Sequence, residues 1–212
     1  MYTQQAIDAL LQLERDDLDL REELQRKGLL HGGYNPQMEQ LHIKNSIELE
    51  RLIALYGFPT IPNASLPGHN AAWLVIQHAI SRPHFMVAML AQLCACDAQT
   101  VSQTNIAYLH DRICFYKRKL QRYGTQMDYD AQGIMRVCCV ESPSDLDALR
   151  ASVFLPPIAQ TLQSIATQRI PAHAAALHRT ETKAWLLATG WCTAQDIKSG
   201  NDLEANAAYA VG

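Results

Sequence analysis

Polar residues interrupt the apolar stripes of the predicted helices, and these residues are the ones that could do chemistry. Asp17 fills a gap in a stripe of leucines, and Asn45 fills a similar gap in the next predicted helix. Gln77 and His78 are the polar residues of an otherwise apolar segment, and Asp111 shares a face with apolar residues further on. A buried carboxylate or imidazole must be hydrogen-bonded, because an unpaired one costs several kcal/mol. The pattern therefore predicts that these groups meet in one polar pocket.

The residue types in this predicted pocket indicate acid–base chemistry. His78 is the candidate general acid or base, because an imidazole gains and loses a proton near neutral pH. Asp111 or Asp17 would orient the imidazole or act as its partner carboxylate. Arg112 and Arg21 would neutralise a negative charge on the substrate, since a guanidinium grips phosphate or carboxylate with two hydrogen bonds. The candidate substrate-positioning residues are Asn45, Gln77, Tyr123, Thr125 and Gln126.

The first hypothesis is an enzyme, a hydrolase or transferase that acts on a small anionic or nucleotide-like substrate. The second is a non-catalytic ligand-binding, adaptor or immunity-type module, in which the polar residues form a buried network that fixes helix register. A third and weaker idea is a metal bound by His78 with Asp17 or Asp111. The expected site includes no metal and no other cofactor, and the oligomeric state is left open.

The predicted class is mainly α, a helical bundle with one small β-hairpin after the fifth helix. Glycine and proline breakers separate the predicted helices, and Asn70 and Ser102 are candidate caps. Residues 1–170 are predicted to form a helical domain, and 171–212 an Ala-rich helical appendage. The expected helices cover 3–27, 38–56, 71–81, 83–96, 103–120, 144–152 and 158–168, with a loop at 58–70 and the hairpin within 121–141.

Composition and charge exclude several classes of function. The 212 residues carry a net charge of -3, with 48% hydrophobic and 18% charged residues, as is typical of an ordinary folded domain. This balance gives no reason to expect nucleic acid or a membrane as a partner, although a local basic run at 112–122 could attract an anionic substrate. No secretory leader or apolar run long enough to cross a bilayer is visible, so the six cysteines are expected to be reduced thiols in the cytoplasm.

Short motifs in a fixed order carry a resemblance to a known family. The chain has D-x-x-x-R at Asp17–Arg21, Y-G-F-P at 56–59, Q-H-A at 77–79, A-Y-L-H-D-R at 107–112 and Y-G-T-Q at 123–126. This order resembles a bacterial family known as a domain of unknown function, over about residues 5 to 160. Two positions depart from the family pattern, since Phe58 replaces a tryptophan and Ile80 replaces an acid. The resemblance supports the choice of site residues and implies no particular reaction.

Overall fold

The protein is described by a computed structural model that covers residues 1–30 and 33–198. The described part is mainly helical, with one two-stranded antiparallel hairpin after the fifth helix. This confirms the predicted fold class. The chain divides into two compact units, unit 1 at Met1–Ser102 and unit 2 from Gln103 onward.

Unit 1 is built from helices whose starts are marked by capping residues and prolines. Thr3 caps the first helix by accepting a hydrogen bond from a backbone amide, and Asn35 caps the second in the same way. Pro36 and Pro83 lie in first turns, where the missing N–H costs no intrahelical bond. The described helices of unit 1 are α1 (Gln4–Arg26), α2 (Pro36–Tyr56), α3 (Ile61–His78) and α4 (Pro83–Ala95).

The core of unit 1 lies between α1, α2 and α3. Leu10, Leu49 and Ile76 come one from each helix and have no exposed surface. Burying each such side chain contributes about 1.5–3 kcal/mol. Asp17 and Asn45 are as buried as these apolar residues. The polar interruptions seen in the sequence therefore lie inside the helix bundle and need partners there.

The prediction of a loop over 58–70, with Asn70 capping the next helix, is wrong. α3 already begins at Ile61 and passes through a kink at Ser65, whose φ is 64° and ψ is 164°. Pro62 lies in the first turn of α3, and Pro67 lies just after the kink, so neither removes a hydrogen bond from a continuous helix. Pro62 and Pro67 each follow the start of a helical segment, and in the sequence the two prolines together are typical of a single loop.

In unit 2, the chain forms one helix before the hairpin and further helices after it. Its first helix ends earlier than the predicted residue 120, because Arg118 adopts a left-handed φ of 56°. The amides of Arg118 and Lys119 bond back to the last turn, to the carbonyls of Phe115 and Cys114, in a Schellman arrangement. The described elements are α5 (Gln103–Tyr116), β1 (Met127–Tyr129), β2 (Met135–Val137), a 3-10 turn (Pro143–Asp145), α6 (Leu146–Ser152), α7 (Ile158–Ile165), α8 (Ala172–Thr189) and α9 (Ala194–Lys198).

The hairpin supplies one side of the core of unit 2. Met127 pairs with Val137, and Tyr129 pairs with Met135. Beyond the strands, the side chain of Asp130 accepts the amide of Ile134 and so closes the turn. The apolar cluster packed against the hairpin consists of Val137, Val140, Leu146, Ile158 and Ile165.

The Ala-rich C-terminal segment is helical as far as the structure describes it. His178 of α8 contacts Asp128 of β1 through Nε2 and Oδ1 at 3.1 Å, and Arg179 donates to the carbonyl of Asp130. Residues 199–212 of the predicted appendage lie outside the described residues. The division into a domain at 1–170 and an appendage at 171–212 stays a prediction. None of the described helices combines the length and apolar character that crossing a membrane requires.

Gly133→Ala should destabilise unit 2. Gly133 has a φ of +79°, and a Cβ there would lie 2.0 Å from the carbonyl oxygen of Ile170. We expect urea denaturation to show a loss of about 3 kcal/mol in the free energy of unfolding. Gly190→Ala is the matched control, because its φ is +78° with open space around it, and it should cost about 1 kcal/mol. Equal losses in the two variants would show that the contact with Ile170 imposes no constraint.

Candidate functional site

Three helices of unit 1 bring one polar side chain each to the same place. Asp17 lies within α1, His42 lies within α2, and His78 is the last residue of α3. We call these residues the Asp–His–His cluster. The side chains of Asp17 and His42 are 1% and 8% exposed, whereas that of His78 is 22% exposed. The cluster therefore has a buried carboxylate at its base and one imidazole within reach of solvent.

One carboxylate oxygen is the centre of the cluster. Oδ2 of Asp17 lies 2.9 Å from Nδ1 of His78 and 2.9 Å from Nε2 of His42. Because an ionised carboxylate only accepts hydrogen bonds, Nδ1 of His78 carries a proton and donates it to Asp17. The tautomer that donates from Nδ1 has its lone pair on Nε2, on the opposite side of the ring from Asp17. A lone pair in that position can take up a proton, as a general base must.

The contacts of His42 differ from those of His78. Nδ1 of His42 is hydrogen-bonded to the hydroxyl oxygen of Tyr34, and the Tyr34 hydroxyl donates its proton to the backbone carbonyl of His78 at 3.4 Å. Nε2 of His42 is close to Asp17, but it is not aligned for a hydrogen bond and has no hydrogen-bond partner within the described residues. The Oδ1 atoms of Asp17 and Asn45 are also buried without a hydrogen-bond partner there. Unit 1 thus holds several buried polar atoms whose hydrogen-bonding capacity is unused.

The charge of Asp17 is held inside the bundle by its neighbours. Burial by itself raises the pKa of Asp17, because burial disfavours the charged form. The neighbouring imidazoles of His42 and His78 outweigh burial and hold the pKa of Asp17 well below its usual range. Asp17 is therefore ionised at neutral pH, and a buried negative charge needs a cation or strong donors beside it.

The other predicted site residues of unit 1 have mixed surroundings. Asn45 is buried and donates through Nδ2 to the backbone carbonyl of Leu13 at 3.0 Å. Gln77 is buried at the end of α3, next to His78. Arg21 is exposed one helical turn after Asp17. Asn45 thus ties α2 to α1, while Arg21 is available to an anion from solvent.

Asp111 organises a loop in unit 2. Its Oδ1 accepts hydrogen bonds from the amides of Arg122 and Tyr123, and its Oδ2 accepts from the amide and hydroxyl of Thr125. Gln126 is close by and accepts a hydrogen bond from Nε of Arg112 at 3.3 Å. The carboxylate is fully buried and its acceptor positions are taken by the Y-G-T-Q segment. This arrangement fixes the path of the chain from α5 to β1.

His110 stands at the edge of the Asp111 network. Its Nδ1 lies 3.2 Å from Oδ1 of Asp111, and its ring lies 3.9 Å from the sulfur of Cys114. Hydrogen bonds to Asp111 and Cys114 raise the pKa of His110 from an ordinary 6.5 to about 10, despite partial burial. The imidazolium therefore persists in the folded protein through neutral pH.

The predicted single pocket draws on residues of both units. The structure brings Asp17 and His78 of unit 1 into contact. Separately, it brings Asp111 of unit 2 into contact with Tyr123 and Thr125. The prediction that all of these residues share one pocket stays a prediction.

Two residues that shape these clusters were missed in the sequence. His42 lies three residues before Asn45 on the buried face of α2, and the helical period of polar interruptions could have revealed it. Arg150 is 2% exposed and donates to the backbone carbonyls of Tyr123 and Pro156. No local pattern marks Arg150, because its partners lie on other segments.

A surface groove lies along α1 and α2, and no member of the Asp–His–His cluster lines it. Acidic residues dominate its lining and would repel an anionic substrate. We therefore assign no substrate to it. The lining residues are Asp16, Asp19, Leu20, Glu22, Glu23, Arg26 and Leu41.

The comparison with known families matches most of the chain. Residues 7–168 match the model of a family of unknown function, DUF6624. The chain belongs to this family. The match includes every residue of the Asp–His–His cluster and the whole Asp111 loop, and it ends before α8. No curated protein and no solved structure matches this DUF6624 member.

Asp111→Asn should destabilise this DUF6624 member strongly. The new amide group would face backbone N–H donors that now bind a carboxylate, so buried donors lose their acceptor. We expect a loss of about 3 kcal/mol in urea denaturation. Asp145→Asn is the matched control, because Asp145 is exposed and accepts only a surface serine among the hydrogen bonds resolved, and it should change stability by less than about 0.5 kcal/mol. A loss of that small size in Asp111→Asn would contradict the assigned loop-organising role.

His110 should make stability depend on alkaline pH. Its pKa in the folded chain is about 10, above the ordinary 6.5, so its stabilising effect is full below pH 6.5 and disappears as the pH rises through 10. Urea denaturation between pH 6.5 and 10 should show a smaller fall in stability for His110→Gln than for the wild type. His84→Gln, at an exposed histidine, should follow the wild-type curve. Parallel curves for wild type and His110→Gln would rule out the raised pKa.

Proposed function

We propose that this DUF6624 member is an enzyme, a hydrolase or a transferase that acts on a small anionic or nucleotide-like substrate. His78 is its general acid and base, and Asp17 is the partner carboxylate. The observation that carries the proposal is the 2.9 Å hydrogen bond from Nδ1 of His78 to the buried Oδ2 of Asp17. It leaves Nε2, on a side chain that is 22% exposed, for a substrate proton.

The proposed proton transfers use this pair in both directions. Nε2 of His78 takes a proton from a water molecule or from a hydroxyl group of the acceptor substrate. The resulting imidazolium is stabilised by Asp17, which stays ionised. The same Nε2 then returns the proton to the leaving group, so that the enzyme ends in its starting state.

A small anionic substrate fits the cationic residues near the matched motifs. Arg21 is exposed one turn after Asp17, where a guanidinium can bind phosphate or carboxylate oxygens. In unit 2, the basic run includes the exposed side chains of Lys119 and Arg122. Their long-range field raises the concentration of anions at the surface. These basic side chains support the proposal that the substrate is negatively charged. Which anion it is must be determined by experiment.

We propose that the protein is located in the cytoplasm. All six cysteines lie within the described residues, and each is a free thiol. Unpaired thiols in this number are typical of a reducing compartment.

A non-catalytic ligand-binding, adaptor or immunity-type module is the second candidate. The observation that favours it is the Asp111 network, whose acceptor positions are filled by the chain itself. A carboxylate used in this way stabilises a fold and contacts no substrate. Under this proposal, the chain binds a small anion or a partner without turning it over.

The test is turnover by purified protein on a panel of nucleoside mono-, di- and triphosphates and phosphate esters. Released phosphate is measured directly, and transfer products are identified by mass spectrometry. His78→Ala should lower the rate by at least about 100-fold, which is typical for loss of a general base. His84→Ala should keep the rate, because His84 is an exposed histidine outside the cluster.

Circular dichroism and thermal melting of each variant separate catalysis from folding. A folded His78→Ala that retains wild-type turnover overturns the role of His78. A wild type that binds substrates of the panel without converting any of them favours the second candidate. If His78→Ala unfolds, His78→Gln is used, since it keeps a polar group beside Asp17.

A further inference from the structure

We infer that the Asp–His–His cluster binds one divalent transition-metal ion through a carboxylate oxygen and two imidazole nitrogens. The inference concerns the centre used in the proposed function. It depends on ligand geometry and holds whether or not the chain turns over a substrate.

The protonation of His42 is the first argument. Nε2 of His42 is buried without a hydrogen-bond partner among the described residues, so a proton there would be an unsatisfied donor. A proton on Nδ1 can instead be donated to the oxygen of Tyr34, whose own hydroxyl proton goes to the carbonyl of His78. This arrangement satisfies every proton and leaves a lone pair on Nε2.

The second argument is the contact that this lone pair makes. Nε2 of His42 lies 2.9 Å from Oδ2 of Asp17. Two electron-rich atoms at this distance repel each other in a buried site unless a cation binds both. The poor alignment of His42 for a hydrogen bond to Oδ2 agrees with an ion placed to one side of the line between the two atoms.

Unused acceptors provide an independent observation. The second oxygen of Asp17 is buried without a hydrogen-bond partner in the described chain, and so is Oδ1 of Asn45, one turn after His42 on α2. Buried polar atoms without partners are rare and call for a bound ion or water. The orphaned oxygens of Asp17 and Asn45 are acceptors, which is the property a cation requires.

The distances fit a metal ion of the usual size. In an octahedral site, an ion with bonds of about 2.1 Å holds neighbouring ligand atoms about 3 Å apart and opposite ones about 4.2 Å apart, whereas a tetrahedral ion holds its ligand atoms about 3.4 Å apart. Oδ2 of Asp17 stands 2.9 Å from each imidazole, and all three donor atoms lie within 4.8 Å of one another. The carboxylate is therefore already at a neighbouring-ligand distance from both rings, and a small rotation of the partly exposed His78 brings the nitrogens together.

The surroundings match those of metal-binding histidines. A ligating imidazole is normally oriented by a hydrogen bond at its other nitrogen, which Tyr34 supplies to His42. Two imidazoles and one carboxylate suit first-row transition metals such as Zn²⁺, Mn²⁺ or Fe²⁺. Three protein ligands leave a position for water on the exposed side of His78. A bound ion would take the place of the proton between Asp17 and His78, and it would lower the pKa of a water molecule bound to it.

The test is calorimetric titration of metal-free, full-length protein with Zn²⁺ near neutral pH. We expect one ion per chain and a rise in melting temperature with added Zn²⁺. His42→Gln and His78→Gln should each weaken the binding by at least about tenfold. Asp17→Asn is measured as well if this variant folds. If Asp17→Asn does not fold, His78→Gln still decides the test, because His78 is the least buried of the three ligands.

Two control variants separate this site from other donors. His84→Gln removes an exposed histidine, and the double variant Cys94→Ser/Cys96→Ser removes the C-x-C thiols at the C-terminal end of α4, the obvious alternative zinc ligands. Both should bind Zn²⁺ as the wild type does. The inference is overturned if the wild type binds no stoichiometric Zn²⁺, or if folded His42→Gln and His78→Gln bind it unchanged. Zinc binding without turnover overturns only the proposed function, and turnover by a chain that binds no zinc overturns only this inference.

Discussion

The carboxylate of Asp17 has lost contact with solvent, and two other helices supply the imidazoles that face it. An isolated charge in such a place would cost more than most apolar contacts contribute. α1, α2 and α3 must therefore pack in the register that brings His42 and His78 to Asp17. The leucines of the bundle favour association in general, whereas the buried charge selects one arrangement among the close-packed alternatives.

A second buried carboxylate, Asp111, shows the opposite solution to the same problem. Its charge is met by backbone amides of a following loop, and the network closes on itself. The Asp17 cluster leaves an oxygen and a nitrogen unused and reaches solvent through His78. The difference between a filled and an unfilled set of acceptors is what separates a fold-stabilising carboxylate from a candidate site.

Helix capping and hydrophobic period made much of the fold predictable. The helices that became α1, α2 and α4 and the hairpin were recognisable because each has a local cause, such as the cap at Asn35 or the turn at Asp130. The start of α3 and the end of α5 were not. Ser65 and Arg118 both adopt a left-handed φ that their residue types rarely take. Because glycine is the residue type that usually marks such a conformation, neither position was recognisable from the sequence.

The sequence by itself determined that Asp17, Asn45, His78 and Asp111 would lie on apolar faces, because helical period alone assigns a residue to a face. The family membership also follows from the sequence. Only the tertiary structure decided which of these residues share partners. In the structure Asp17 contacts His78 and also His42, whereas Asp111 binds the Y-G-T-Q loop. Period fixes the direction of a side chain from its own helix, whereas the residue it meets depends on how separate helices pack.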